Sequence, residues 1–278
     1  MLNVSFYGVR GSTPCPGPSN ARYGGNTACV VVDRPDEPPI VLDLGTGLRQ
    51  YGETLPHDGS FRGAAFVTHL HWDHVQGLPF FVPILRDGAH IDVYGPGPED
   101  GRTLAEAFTG FMRPPYFPVT VDQLPGEILF HDFDDDVVEV GTARVTARPV
   151  AHVGSTNGYR IDWAGHSVAY LSDHQQPASG LDTVTDDVLA LCGGVDLLVH
   201  DAQYTAEEFA GKCDWGHCTV EYAVSVARRS EAQRLVLFHH DPVHDDDFID
   251  CLLATARRLA GPDLEVLAAY EGLTISLS

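Results

Sequence analysis

Apolar and polar positions alternate over residues 2–7, Leu2-Asn3-Val4-Ser5-Phe6-Tyr7, and this period of two predicts a strand. Residues 8–25 are rich in Gly, Pro and Ser and are loop. Strands are predicted at about 27–33 and 40–43, after which Gly45-Thr46-Gly47 turns the chain into a short helix. Residues 64–68 form a buried strand, and 91–94 another. Residues 95–127 hold many prolines and aromatics, among them Phe111, Tyr116 and Phe117, and predict a helix with an irregular cap. The acidic run 132–136 is a solvated turn, and strands recur at about 137–140, 143–150, 157–161, 167–171, 195–200 and 234–238. Val220, Ala223, Val224 and Ala227 fall on one helical stripe. A last helix is predicted over roughly 246–260, with acidic residues at its N-terminal end that suit the helix dipole, before strands near 264–268 and 273–277. Strands with helices between and after them, in two successive halves, give an α/β class of layered sheets covered by helices. There is no internal repeat or low-complexity linker, so residues 1–278 are expected to form a single domain, with a cap-like insertion at about 95–127.

Composition narrows the function classes. With 44% hydrophobic and 20% charged residues the chain is globular, and no apolar run approaches the length of a membrane span. The first residues, Met1 to Phe6, lack a basic region followed by an apolar core, so a cytoplasmic location is expected. Cys15, Cys29, Cys192, Cys213, Cys218 and Cys251 form no C-x-x-C pair and are expected to be free thiols. Cys213 and Cys218 flank His217 but lack the two-residue spacing of a structural zinc site. Against 17 Lys and Arg stand 39 Asp and Glu, a formal net charge of −22 that repels a phosphate backbone. Nucleic acid is therefore not expected as a partner, a small-molecule substrate is, and the 14 histidines call for another explanation.

That explanation starts at Thr68-His69-Leu70-His71-Trp72-Asp73-His74, where three imidazoles and a carboxylate crowd together at the end of a buried strand. Such a cluster is costly to desolvate without a metal. Imidazole and carboxylate suit zinc, manganese or iron, and the absence of thiolate argues against a purely structural zinc. His69 and His71, two apart on an extended segment, point the same way, whereas Asp73 and His74 follow a turn and can face a second ion.

The His-x-His-x-Asp-His pattern resembles the signature of the metallo-β-lactamase superfamily, and further segments match it in order. The resemblance implies a four-layer αββα sandwich and a pair of divalent ions, zinc first, with manganese or iron as alternatives. Asp43, in Val41-Leu42-Asp43-Leu44-Gly45-Thr46-Gly47, would brace the metal loop. His69, His71 and His152 would hold one ion; Asp73, His74 and His239 the other; Asp173 would lie between them. His239 and His240 are adjacent on a strand and point to opposite sides, so one of them is the ligand, and the preceding apolar run favours His239.

Within the superfamily the chain looks closest to the ribonuclease Z and phosphodiesterase branch. The segments 6–12 and 23–27, His200-Asp201-Ala202 and Gly216-His217-Cys218-Thr219 carry that likeness. Asp201 stands where that branch usually has Glu, and the long Gly/Pro-rich arm with which ribonuclease Z grips tRNA is missing. The implied activity is hydrolysis of a small or cyclic phosphodiester, with Asp73, His217 and Asp201 as catalytic residues: His217 as proton donor, Asp201 orienting its ring. Lactone or ester hydrolysis on the same site, tRNA 3′-end cleavage, and a non-hydrolytic diiron or accessory role are the alternatives. A homodimer is expected because dimers are common in the resembling branch. His174, His57, His90, His131, His166 and His244 are expected at the surface, and Phe111, Tyr116 and Phe117 are more readily read as packing than as pocket wall.

Overall fold

The computed structural model describes residues 1–278 as two seven-stranded sheets. The first half supplies β1 (Leu2–Gly8), β2 (Cys29–Asp33), β3 (Ile40–Leu42), β4 (Arg62–Phe66), β5 (His90–Gly95) and β6 (Glu127–Asp132). The second supplies β7 (Val137–Val140), β8 (Ala143–Pro149), β9 (Asn157–Trp163), β10 (His166–Leu171), β11 (Leu197–Asp201), β12 (Arg234–Phe238), β13 (Glu265–Ala268) and β14 (Thr274–Leu277). The last strand crosses back, giving the orders β14-β1-β2-β3-β4-β5-β6 and β13-β12-β11-β10-β9-β8-β7. In each sheet one part is antiparallel and the other parallel: β3 to β6 run parallel in the first, β10 to β13 in the second.

The apolar runs explain the layering. Strands β2, β4, β11 and β12 are apolar on both faces, so each must be covered twice. Their inward residues, such as Val30, Phe66, Val199 and Phe238, meet Phe6, Tyr159 and Trp163 in a core between the sheets. Their outward residues meet helices. Val31, Ala65 and Val67 pack under α1 (Gly47–Glu53) and α3 (Leu104–Phe111). Leu198, Leu235 and Leu237 pack under α4 (Asp186–Cys192), α6 (Val220–Arg229) and α7 (Asp246–Ala260). The result is the αββα sandwich. Two single-turn helices, α2 (Trp72–Val75) and α5 (Ala206–Phe209), lie in loops at one edge. No helix is long and apolar enough to cross a membrane, and all six cysteines are free thiols.

Helix α7 coincides with its predicted range, because Asp245 caps it by accepting from the Phe248 N–H and Ile249, Leu252, Ala256 and Ala260 form its buried stripe. Two elements differ from expectation. Strand β6 lies where only irregular chain and a turn were predicted; it pairs with β5 alone and is half-exposed, so its alternation is weak. Helix α4 was unpredicted because two turns are too short to show a period, although Thr185 caps it through the Val188 N–H. Residues 95–127 hold α3, begun by a Thr103–Glu106 capping box, and otherwise irregular chain.

The parallel strands matter for function because they all end at one edge. In register, Leu171 of β10 lies beside His200 of β11, which lies beside Leu237 of β12. Asp173, Asp201 and His239 therefore emerge together, opposite the loop that follows β4. Ligands of open α/β sheets collect at such carboxyl-terminal edges.

Candidate metal centre

Asp43 organises the loop after β4. Its carboxylate accepts from the Thr68 N–H at 2.7 Å and from the Thr68 hydroxyl, takes the Tyr170 hydroxyl at 2.8 Å, and faces His74 Nδ1 at 2.8 Å. Asp43 sits at φ 62, an uncommon conformation for a residue with a side chain, which places its carboxylate under the loop. With Nδ1 of His74 turned to Asp43, its Nε2 points into the site. Thr68 Oγ1 likewise meets Nδ1 of His69 at 3.1 Å. His71 is reversed: its Nδ1 lies 2.8 Å from Nε2 of His69.

The second half delivers its groups one per strand end. His152 follows β8 and donates Nδ1–H to the Gly216 carbonyl at 2.7 Å, which brings its Nε2 3.3 Å from Nδ1 of His71. His239 follows β12 at φ 58, with Nδ1 held by Gln203 at 3.2 Å and Nε2 3.1 Å from Asp73. A Cβ on Gly11 would overlap the His239 ring, and one on Gly216 (φ +92) would overlap the His152 ring, so both positions require glycine. His240 faces away, with Nε2 donating to the Ala269 carbonyl. The left-handed turn at Ser12 aims its N–H at Asp73 Oδ2, 2.6 Å away.

Donor atoms thus gather in two sets, His69, His71 and His152 in one and Asp73, His74 and His239 in the other, each within 4.8 Å. Asp173 faces both. Its Oδ2 lies 3.8 Å from His69 Nε2 and 3.6 Å from His152 Nε2, while its Oδ1 lies 3.2 Å from Nε2 of both His74 and His239. Buried His74 Nε2 and Asp173 Oδ1 make no hydrogen bond, an orphaned pair that a cation between the sets would satisfy. Burial disfavours the charged form of Asp173, but the His239, His74 and His69 imidazoles outweigh it and hold the pKa well below the usual carboxylate range. Burial lowers the pKa of His69, His71 and His152, leaving neutral rings with a lone pair to offer. The residues present fit a divalent metal pair.

Beside them stands a His–Asp pair. Buried Asp201 accepts from His217 Nδ1 at 2.8 Å and from the backbone N–H groups of His174 and Gln203. Burial opposes protonation of His217, yet Asp201, its hydrogen bond, and the more distant Asp173 and Asp73 raise the pKa overall. Asp173, His217 and His239 form a further set of donor atoms within 4.8 Å, so His217 also lies within reach of the metal sites.

Residues 40–240 match the profile of the beta-lactamase superfamily domain. The chain belongs to the metallo-β-lactamase superfamily. It is a hydrolase of that superfamily with His/Asp clusters suited to divalent metal. The ribonuclease Z of Mycobacterium marinum is 26% identical over 264 residues, covering 87% of each chain. Human tRNase Z, short form, superposes with a TM-score of 0.66 at 25% identity over 99% of each chain. A diphosphatase from the PhnP family shares the fold, with a TM-score of 0.70 at 19% identity over 100% of this chain and 98% of that one.

In this metallo-β-lactamase superfamily member the donor sets open into a cavity of about 640 Å³. Its wall includes His71, Asp73, Asp173 and His217, and also Trp72, Tyr204, Lys212 and Trp215, which the sequence did not single out. Trp72 is 66% exposed and Trp215 59%, and a large aromatic left in water next to a buried charged cluster was the available signal. Phe111, Tyr116 and Phe117 do not line it; Phe111 packs beside Trp72 and Phe117 against Phe80. Two histidines expected at the surface are buried. His174 meets His200 at 2.9 Å behind Asp201, because the chain leaving β10 runs inward over β11. His244 meets Glu208 at 2.7 Å, in the turn between β12 and α7.

Proposed function

We propose that this hydrolase is a phosphodiesterase that uses two divalent cations, zinc first, on a small or cyclic phosphodiester. One cation would be held by His69, His71 and His152, the other by Asp73, His74 and His239, with Asp173 shared. The observation that carries this reading is the Asp173 carboxylate, which turns one oxygen to each donor set. Bound there, the cations would polarise the phosphoryl group and acidify a water. The chain's own residues do the rest. Asp43, Thr68, Gln203 and the Gly216 carbonyl fix the imidazoles by their far nitrogens. His217, its Nδ1 held by Asp201, keeps Nε2 for the cavity and gives a proton to the departing oxygen. Trp72 and Trp215 offer flat apolar faces at the rim for a ring of the substrate.

A second reading, cleavage of RNA, draws on the ribonuclease Z relatives, which match over most of their length. Against it stand the net charge of −22 and a cavity wall with a single lysine and no arginine. The test is metal analysis of the purified protein, followed by assays of bis-p-nitrophenyl phosphate, cyclic AMP, a lactone series and a tRNA precursor. Two equivalents of zinc or manganese with turnover of the small diesters is the expected outcome. Turnover of the lactones alone, or of the precursor alone, overturns it, as does iron with redox-active visible bands and no hydrolysis.

A further inference from the structure

Lys212 is the only lysine among the 17 basic residues of the chain, every other one being arginine. It lines the cavity of the metal centre, the single Lys or Arg to do so. Its place is fixed. The turn that carries it follows α5, whose Glu208 is tied to His244, and the His244 carbonyl in turn accepts from the Arg10 guanidinium. The ammonium donates to Asp241 at 3.2 Å and lies 4.4 Å from the centre of the Tyr204 ring and 5.6 Å from that of Trp215. An ammonium has three N–H donors, and Asp241 takes one. The side chain is 25% exposed and lines the cavity, and Nζ makes no other hydrogen bond. Tyr204 neighbours both this cation and His217, the ring centres of Tyr204 and His217 being 5.7 Å apart. The ammonium and the group that protonates the departing oxygen therefore share one neighbour and one cavity wall.

We propose that Lys212 selects the leaving group: it binds an oxyanion, carboxylate or phosphate, carried on the departing part of the substrate. The proposal rests on the phosphodiesterase reading for the reaction, but not for the binding. The reacting diester brings its own negative charge to the metal sites, whereas Lys212 meets a second charge farther along the same molecule. Asp241 holds the ammonium over Tyr204 so that little side-chain freedom is lost when the oxyanion arrives. Charge-assisted hydrogen bonds of this kind are among the stronger polar contacts.

The test compares methyl aryl phosphodiesters whose leaving phenol carries a 4-carboxylate, a 4-phosphonate or the isosteric, uncharged 4-carboxamide. The metal-loaded wild type is expected to prefer a charged phenol over the carboxamide by about tenfold in kcat/KM, with the better of the two naming the oxyanion class. Lys212→Met should erase that preference, and Lys212→Arg should keep part of it. Equal losses on all three substrates in Lys212→Met, or no preference in the wild type, overturn the proposal and leave Lys212 as a counter-ion for Asp241. A binding arm separates this from failure of the phosphodiesterase reading. Growth on 13C-labelled lysine marks Lys212 alone and leaves its three N–H donors in place. The Lys212 Cε resonance of the metal-loaded protein should shift on titration with 4-hydroxybenzoate or 4-hydroxyphenylphosphonate, and not with 4-hydroxybenzamide. A shift with an acid but no diester hydrolysis keeps the Lys212 site and sinks the reaction; no difference between acids and amide sinks the Lys212 site whatever the hydrolysis shows.

Discussion

The loop after β4 places His69, His71, Asp73 and His74 within six consecutive residues, whereas the second half brings His152, Asp173, His217 and His239 from four separate stretches, three of them following strands. The first arrangement is nearly local: Thr68, next to His69, and Asp43, one strand away, orient its rings. The second depends on the register of β10, β11 and β12 and on close backbone approaches at Gly11 and Gly216. Local clusters survive the loss of a distant contact, whereas groups held by register are lost or kept together with the sheet that carries them. Asp173 is the exception, since it belongs to the second half yet faces the donors of both.

The largest expected effect follows from that exception. Asp173→Asn should lower kcat/KM on bis-p-nitrophenyl phosphate by roughly 10³-fold or more and reduce bound metal at both sites, because one change removes the charge that both sets share. His152→Ala should lose one equivalent only; equal metal loss in the two variants would dissolve the distinction. Next comes His217→Ala. With both donor sets intact, metal content should hold while activity on an alkyl leaving group falls by about 10²- to 10³-fold. Activity on p-nitrophenyl esters, whose leaving group needs no proton, should fall far less. A loss of metal in this variant would show instead that His217 is a ligand, as its place within 4.8 Å of Asp173 and His239 allows.

A smaller effect is expected where the local loop is braced. Asp43→Asn keeps the shape but removes the charge facing His74 Nδ1, and should weaken metal affinity by about 10- to 100-fold in a chelator competition. If it instead abolished folding, judged by the circular dichroism melt, the loop would be less independent than its contacts imply. The smallest concerns Asp92 on β5, which accepts from His90 at 2.9 Å and His131 at 2.7 Å, far from the second half. Burial opposes the charged His90, but the hydrogen bonds and charges of Asp92 and Glu127 together outweigh it and raise its pKa. Its contribution to stability is therefore fully present below the unfolded histidine pKa and fades as pH rises through the folded one. Asp92→Asn should lower the His90 titration midpoint by NMR, with a stability change under about 1 kcal/mol and activity untouched.

The legibility of the site followed its locality. Four donors stood side by side in one motif and needed no fold to be noticed. Asp173 and His152 were picked out by the resemblance to the superfamily's motifs, each after a predicted strand, and His239 was separable from its neighbour because a strand can turn only one of two successive side chains to one side. Lys212, Trp215, Gln203 and Ser12 carried no such mark. They lie in turns, where composition says nothing about direction, and only the meeting of the two sheet edges gives them a common wall. His174 and His244 misled for the same reason: each sits beside charged or polar residues, and burial of a polar residue in a loop depends on what packs over it. In the fold, long elements with a clear period were read closely, as in α7, whereas the edge strand β6 and the two-turn α4 lacked enough repeats to signal.

Hydrophobic period and the spacing of histidines and aspartates, both local properties of the chain, determined the layered α/β architecture, the superfamily and the chemical type of its donors. What the tertiary structure alone decided was which oxygen of Asp173 meets which set, which nitrogen of His217 faces Asp201, and that the sole lysine shares their cavity. These are distances between residues far apart in the chain. They depend on the register and packing of two sheets, which no single segment encodes.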